Sequence, residues 1–195
     1  MNLSEIQLDA LGELANIGSG NAATALSSMV GVPIDLSVPH VRLLELADAV
    51  DAAGDPAEEV SAVLLPVVGD LGAHVILLFG AHDAEVVCGL LGVEADSEIG
   101  LSALCEIGNI VGTSYVSALG AMCGMELEPA PPQGARDMLG AIVATVLGSV
   151  ADDSDTTLFL DTDLVVEGTQ SSIAFLLVPE ADGVGELLRR LGLGD

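Results

Sequence analysis

DALGELAN, Asp9–Asn16, returns 93 residues later as SALCEIGN, Ser102–Asn109. Three polar positions keep their spacing, so that Asp9, Glu13 and Asn16 answer to Ser102, Glu106 and Asn109. A proline follows each asparagine after 22 intervening residues, Pro39 in the first copy and Pro132 in the second. Residues four and seven positions apart stack on one side of a helix. The chain therefore reads as two repeats, about 1–93 and 94–195, each with a carboxylate and an amide on one helix face.

Working outward, Ser4 to about Val30 reads as one long helix: Ser4 and Gln7 form a capping box, and Gly31 and Pro33 end it. At about 100° per residue from Asp9, Glu13 falls near 40° and Asn16 near −20°, whereas Leu11, Leu14, Gly18, Ala22, Ala25 and Met29 cluster on the opposite side. The second helix repeats this, with Ser102, Glu106, Asn109 and Thr113 on one face and Leu104, Ile107, Val111, Tyr115, Ala118 and Met122 on the other, up to Gly124. Both polar sets are expected to face outward.

After each long helix comes a short extended piece (Ile34 to Val38; Met125 to Pro129), then a helical segment (about Leu43 to Ala53; about Ala135 to Val150). Two strand-like runs follow, Glu59 to Val68 and Ala73 to Phe79, then Thr156 to Val166 and Ser171 to Val178 around Glu167-Gly168. Short helices at Asp83 to Leu91 and Ala181 to Leu191 close the halves. The expected fold is α+β: two pseudo-symmetric α-β-α-β-β-α halves sharing one mainly antiparallel sheet, with the two long helices outside. One half alone would bury little surface, so a single domain with a common core is expected. Asp48 to Glu59 and Asp152 to Asp155 read as solvated acidic loops.

Composition narrows the function. Thirty acidic residues face four arginines and no lysine, a net charge of −26, which opposes binding to nucleic acid or to an anionic membrane. With 51% hydrophobic residues the chain is not a disordered acidic tail. It reads instead as a folded protein of a salt-rich cytoplasm, since at about 1 M salt the Debye length is roughly 3 Å and surface repulsion is screened. Cys88, Cys105 and Cys123 show no CxxC pairing and read as reduced, buried residues; His40, His74 and His82 show no metal-ligand spacing. No signal peptide is expected, nor a membrane span, since no run reaches about 20 unbroken apolar residues. Ser19-Gly20-Asn21 lacks the lysine and preceding strand of a phosphate loop, and Arg189-Arg190 would complement a helix C-terminus.

The pattern [Asp/Ser]-x3-Glu-x2-Asn-x22-Pro resembles the signature of the CheC/CheX/FliY phosphatases of chemotaxis, and the run Glu13 to Ala23 is very like CheC. The likeness extends over essentially the whole chain, in the two-copy layout of CheC. It implies hydrolysis of the aspartyl phosphate of a CheY-type response regulator, with Glu13, Asn16, Glu106 and Asn109 catalytic. In that family's scheme the asparagine orients water and the glutamate engages the receiver's lysine. Asp9 and Ser102 would be peripheral, and Pro39 and Pro132 would fix the turn after the first strand. The resemblance also implies no cofactor or metal of the chain's own, Mg2+ on the partner receiver, and CheD as a further partner. The other function compatible with such a fold is a non-catalytic adaptor that holds CheD or CheY.

Overall fold

The computed structural model describes residues 4–149, 156–166, 169–180 and 183–193. Helix α1 spans Glu5–Val30; the Ser4 hydroxyl accepts from the Gln7 amide, and the Gln7 side chain accepts from the Ser4 amide, a reciprocal cap. Gly31, at φ 77°, ends it in the left-handed region that a Cβ disfavours. Helix α4, Glu98–Cys123, is capped by Ser97 and ended by Gly124 at φ 63°, both 93 residues from their counterparts. The capping box does not recur because Gly100 stands where α1 has Gln7. A Cβ there would lie 2.2 Å from the Glu94 carbonyl oxygen, so the site admits no side chain.

Between and after these helices lie β1 (Ile34–Leu36), β2 (His40–Glu45), α2 (Leu46–Ala53), β3 (Glu59–Gly69), β4 (Ala73–Phe79) and α3 (Ala81–Leu90), then β5 (Leu127–Pro129), β6 (Gln133–Met138), α5 (Leu139–Ser149), β7 (Thr156–Val166), β8 (Thr169–Pro179) and α6 (Gly183–Arg190). The α+β class holds, and every strand pairing in the eight-stranded sheet is antiparallel. Each half carries one strand more than expected. His40–Glu45 and Gln133–Met138 are strands, so the helices begin at Leu46 and Leu139 rather than near Leu43 and Ala135. The adjacent Leu43 and Leu44 suggest helix, and Gln133–Met138 has no apolar alternation. Pairing with a strand from the other half overrides these local signals. Asp48 to Ala53 accordingly lie in α2, with Ala49 fully buried, and not in a loop. Asp152 to Asp155, the turn Glu167-Gly168 and Ala181 lie outside the described residues.

The sheet runs β1-β7-β8-β4-β3-β5, with β2 also on β7 and β6 also on β3. The first half's β1 and β2 therefore pair with the second half's β7, and β5 and β6 pair with the first half's β3. The registers repeat: Ile34↔Val166 matches Leu127↔Gly69, and His40↔Asp161 matches Gln133↔Leu64. Between the paired segments three residues (Ser37–Pro39; Ala130–Pro132) face two, a β-bulge in both copies. The Ser37 amide bonds the Asp163 carbonyl as the Ala130 amide bonds that of Pro66. Pro39 and Pro132 close these bulges, where a residue without an N–H breaks the ladder. They lie between two strands that share one partner.

Alternation along the strands makes two apolar layers. Val63, Leu65, Val75, Leu77, Phe79, Leu160, Ile173 and Phe175 join α1, α3, α4 and α6, while Val60, Ala62, Ile76, Leu78, Phe159, Leu176 and Val178 join α2 and α5. By length and composition α4 could cross a membrane, but its Leu104, Ile107, Val111, Tyr115 and Leu119 are packed in this core. Helices α1 and α4 touch where Gly18 and Ser19 meet Tyr115: the two hydroxyls are 2.6 Å apart, and the Tyr115 ring lies 4.7 Å from that of Phe175. That contact rotates the buried arc of α1. Ala15, Ser19 and Leu26 are buried and Ala25, expected inside, is exposed. Cys88 and Cys123 are buried, whereas Cys105 is only half-buried.

The helix contact leaves no room at Gly18, where a Cβ would come within 2.6 Å of the Tyr115 ring, while Gly20 has nothing within 4 Å. Gly18→Ala should destabilise the protein by about 1–3 kcal/mol, whereas Gly20→Ala should stabilise it by roughly 0.5–1 kcal/mol, read by urea unfolding in molar salt. Burial raises the Tyr115 phenol above its ordinary 10.0, with hydrogen bonds to Ser19 and Thr162 pulling the other way. A raised folded-state value means that this contribution to stability is present below the ordinary phenol pKa and lost as pH rises through the raised one. The chain has one tyrosine and no tryptophan, so tyrosinate absorbance reports this group alone and should appear above pH 10, together with unfolding.

Candidate functional site

In each long helix the motif occupies the N-terminal half, on the side away from the sheet. Leu11, Leu14 and Ala15 are buried beneath the first copy, and Leu104, Ile107 and Gly108 beneath the second. Gly108 brings α4 onto the sheet, since a Cβ there would lie 2.7 Å from a Val63 methyl. The motif thus stands on helices packed from behind against the sheet.

Asp9, Glu13 and Asn16 are all exposed; Ser102 and Glu106 are exposed and Asn109 is half-buried. Each asparagine stands three positions after its glutamate, about 4.5 Å along the axis and about 60° around it, so one visiting group can meet both side chains. Among the described residues, Glu13, Asn16, Glu106 and Asn109 make no side-chain hydrogen bond or ion pair within the chain. The two copies are not identical in charge: Asp9 stands one turn before Glu13 where Ser102 stands before Glu106.

The four arginines are engaged elsewhere. Arg42 lies over the Phe159 ring, 4.7 Å from its centroid. Arg136 donates to Ser61 and to the Ala95 carbonyl, holding the loop that leads into α4, with Asp96 3.9 Å away. Arg189 and Arg190 both bind Glu186, and the Arg190 hydrogen bond holds that carboxyl below its usual range. Both stand in the last turn of α6, as expected of residues that complement a helix C-terminus, and they pair with Glu186 as well. Among the described residues Glu13 and Glu106 therefore have no arginine partner.

Pro39 is buried and Pro132 half-buried, and neither shares the exposed face of the glutamates and asparagines. Their bulges lead into strands that brace the flank of the motif: Gly134 packs so tightly on Cys105 and Leu101 that a Cβ would fall 2.7 Å from the Cys105 sulfur. Ser19 lies inside α1 with its hydroxyl on Tyr115, joining the helices rather than cradling a phosphate. Sequence reasoning missed this joint and the Arg136 anchor. The joint did leave a signal, since Ser19 and Tyr115 stand at positions where the repeats differ (Gly112 and Ala22). Among the described residues no three His, Cys, Asp or Glu side chains gather as metal donors.

The family model described as "CheC-like family" matches residues 6–42 and 99–133, the two segments that run from motif helix to proline. The chain is 28% identical to the CheY-P phosphatase CheC of Bacillus subtilis over 97% of its own length and 96% of that protein's. It is 25% identical to a protein named putative CheY-P phosphatase CheC1 from Halobacterium salinarum, over 65% of this chain and 67% of that one. The fold is that of Thermotoga maritima FliY, with a TM-score of 0.78, 23% identity and full coverage of both chains.

Proposed function

We propose that this chain, which is similar to the CheC-like family over residues 6–42 and 99–133 and to Bacillus subtilis CheC along its length, is a member of that family and hydrolyses the aspartyl phosphate of a CheY-type response regulator in the cytoplasm. The observation that carries this reading is the duplicated, outward-facing and unpaired Glu–Asn set on two rigid helices. An acyl phosphate is intrinsically reactive, so positioning of water suffices. The carboxamide of Asn16 or Asn109 both accepts and donates, and holds a water in line with phosphorus; it is no general base. The water oxygen forms the new bond to phosphorus as the bond to the aspartyl oxygen breaks. The regulator's carboxylate leaves with the electron pair, and a water proton passes to the released phosphate. Glu13 and Glu106 supply negative charge for the receiver's lysine and set the docking register. Asp9 and Ser102 lie one turn away and stay peripheral. Mg2+ held by the receiver would neutralise the phosphoryl oxygens.

A holder of CheD or CheY with no chemistry would not require the asparagine, whose helix propensity is poor and which stands mid-helix twice. CheD is retained as a second partner, compatible with the activity.

Asn16→Ala with Asn109→Ala should lower stimulated phosphate release on the order of 10²- to 10³-fold, the usual cost of a lost positioning group, with circular dichroism unchanged. Each single variant should keep part of the rate. The assay is phosphate release from the cognate regulator, phosphorylated with acetyl phosphate, in molar KCl; a double variant as fast as the parent would remove asparagine from the mechanism. Glu13→Gln with Glu106→Gln should raise the regulator concentration needed for half-maximal rate more than it lowers the maximum. The charge of −26 predicts loss of helical ellipticity as salt is diluted from molar to millimolar, where screening fails. Unchanged spectra would argue against salt adaptation.

A further inference from the structure

Among the described residues, two of the most exposed large apolar side chains are twins. Ile6 is 69% exposed and Ile99 67%, and they stand 93 residues apart, each seven residues before its motif glutamate. Seven residues of helix advance about 10 Å and return to within about 20° of the same line, so each isoleucine stands in file with Glu13 or Glu106. At the other end Ile17, 39% exposed, and its twin Ile110, half-buried, follow directly after the asparagines.

Neither packing nor local helix chemistry accounts for the outer pair. Each is the second residue of its helix, away from the hydroxyl that caps it, and a β-branched side chain there gains nothing in helix propensity. Between the helices, identity is concentrated around these residues. Ser4–Ile17 and Ser97–Ile110 agree at nine of fourteen positions, whereas Gly18–Gly31 and Val111–Gly124 agree at four, although the latter stretch includes the buried contact between helices. The N-terminal halves of the two helices, which carry the motif, are thus more alike than their C-terminal halves.

We propose that Ile6 and Ile99 are the apolar anchors by which the phosphorylated receiver is held on the two Glu–Asn sites, an inference that rests on the functional reading above. A domain that meets Glu13 and Asn16 through a standard interface of about 800 Å² per partner cannot avoid covering a side chain about 10 Å from the glutamate along the same helix. On a chain of charge −26 in concentrated salt, charge attraction is screened beyond a few ångströms while burial of apolar surface is not, so apolar contacts of this kind add affinity that the glutamates' short-range contact alone does not supply. The receiver is expected to present a matching apolar patch about 10 Å from its phosphorylation site.

The test is the Ile6→Ala/Ile99→Ala variant against the cognate regulator phosphorylated with acetyl phosphate in molar KCl. KM should rise about tenfold with kcat unchanged, and Ile6→Leu/Ile99→Leu should restore it. A KM within twofold of the parent, with circular dichroism unaltered, overturns the proposal and leaves the phosphatase reading standing. Sedimentation of parent and variant is run alongside: a parent dimer that the alanines dissolve would assign the isoleucines to a second copy of this chain and overturn it as well. If the parent releases no phosphate, binding is titrated with the regulator held in its activated form by beryllium fluoride. Tenfold weaker binding by the alanine variant then sustains the anchors while the hydrolytic reading falls, and a parent that neither hydrolyses nor binds the regulator removes both.

Discussion

The exchange of strands between the two repeats is the constraint on which the rest of the structure depends. Neither half can complete its sheet, because β1 and β2 hydrogen-bond to β7 of the second half, and β5 and β6 to β3 of the first. The central pairing of β4 with β8 then joins the halves in one ladder. Every unpaired strand edge would expose backbone groups that need partners, so the reciprocal pairing binds the halves more firmly than an interface of side chains alone. The bulges at Pro39 and Pro132 belong to this exchange, since they let one chain leave a partner strand for a residue and rejoin it in register.

On that sheet the two long helices need to be similar only where their surroundings are. The Tyr115 ring occupies space that Gly18 and Ser19 leave open, while the tyrosine's counterpart, Ala22, is small, so the helix contact is lopsided although the backbone is symmetric. Duplicated sequences can diverge in this way in a shared core: one side grows as the facing side shrinks, and total volume is kept. The outward motif has no such compensating neighbour. It keeps Glu and Asn in both copies, although Leu14 and Ala15 beneath the first answer to Ile107 and Gly108 beneath the second.

Charge follows the same division of labour. The few arginines are committed to internal tasks: Arg136 to the loop before α4, Arg42 to the Phe159 ring, Arg189 and Arg190 to α6. The carboxylates of the motif therefore have no arginine partner among the described residues.

Much of this was legible in the chain itself. Local rules act over a few residues, and so Ser4, Gln7, Gly31 and Gly124 marked the helix ends, the 3.6-residue period turned Glu13, Asn16, Glu106 and Asn109 outward, and the shift of 93 revealed the repeat. The strands β2 and β6 were not legible, because their partners lie about 70 residues or more away in the other half and their own residues carry little alternation. Likewise the exposure of Ala25, the half-burial of Asn109 and the grip of Arg136 on Ala95 depend on which surfaces meet. Sequence alone determined which side chains share a face, since that is set by backbone geometry within one element. Only tertiary structure decided which strands pair and which faces are covered, because those are settled by long-range hydrogen bonding and close packing between elements distant in the chain.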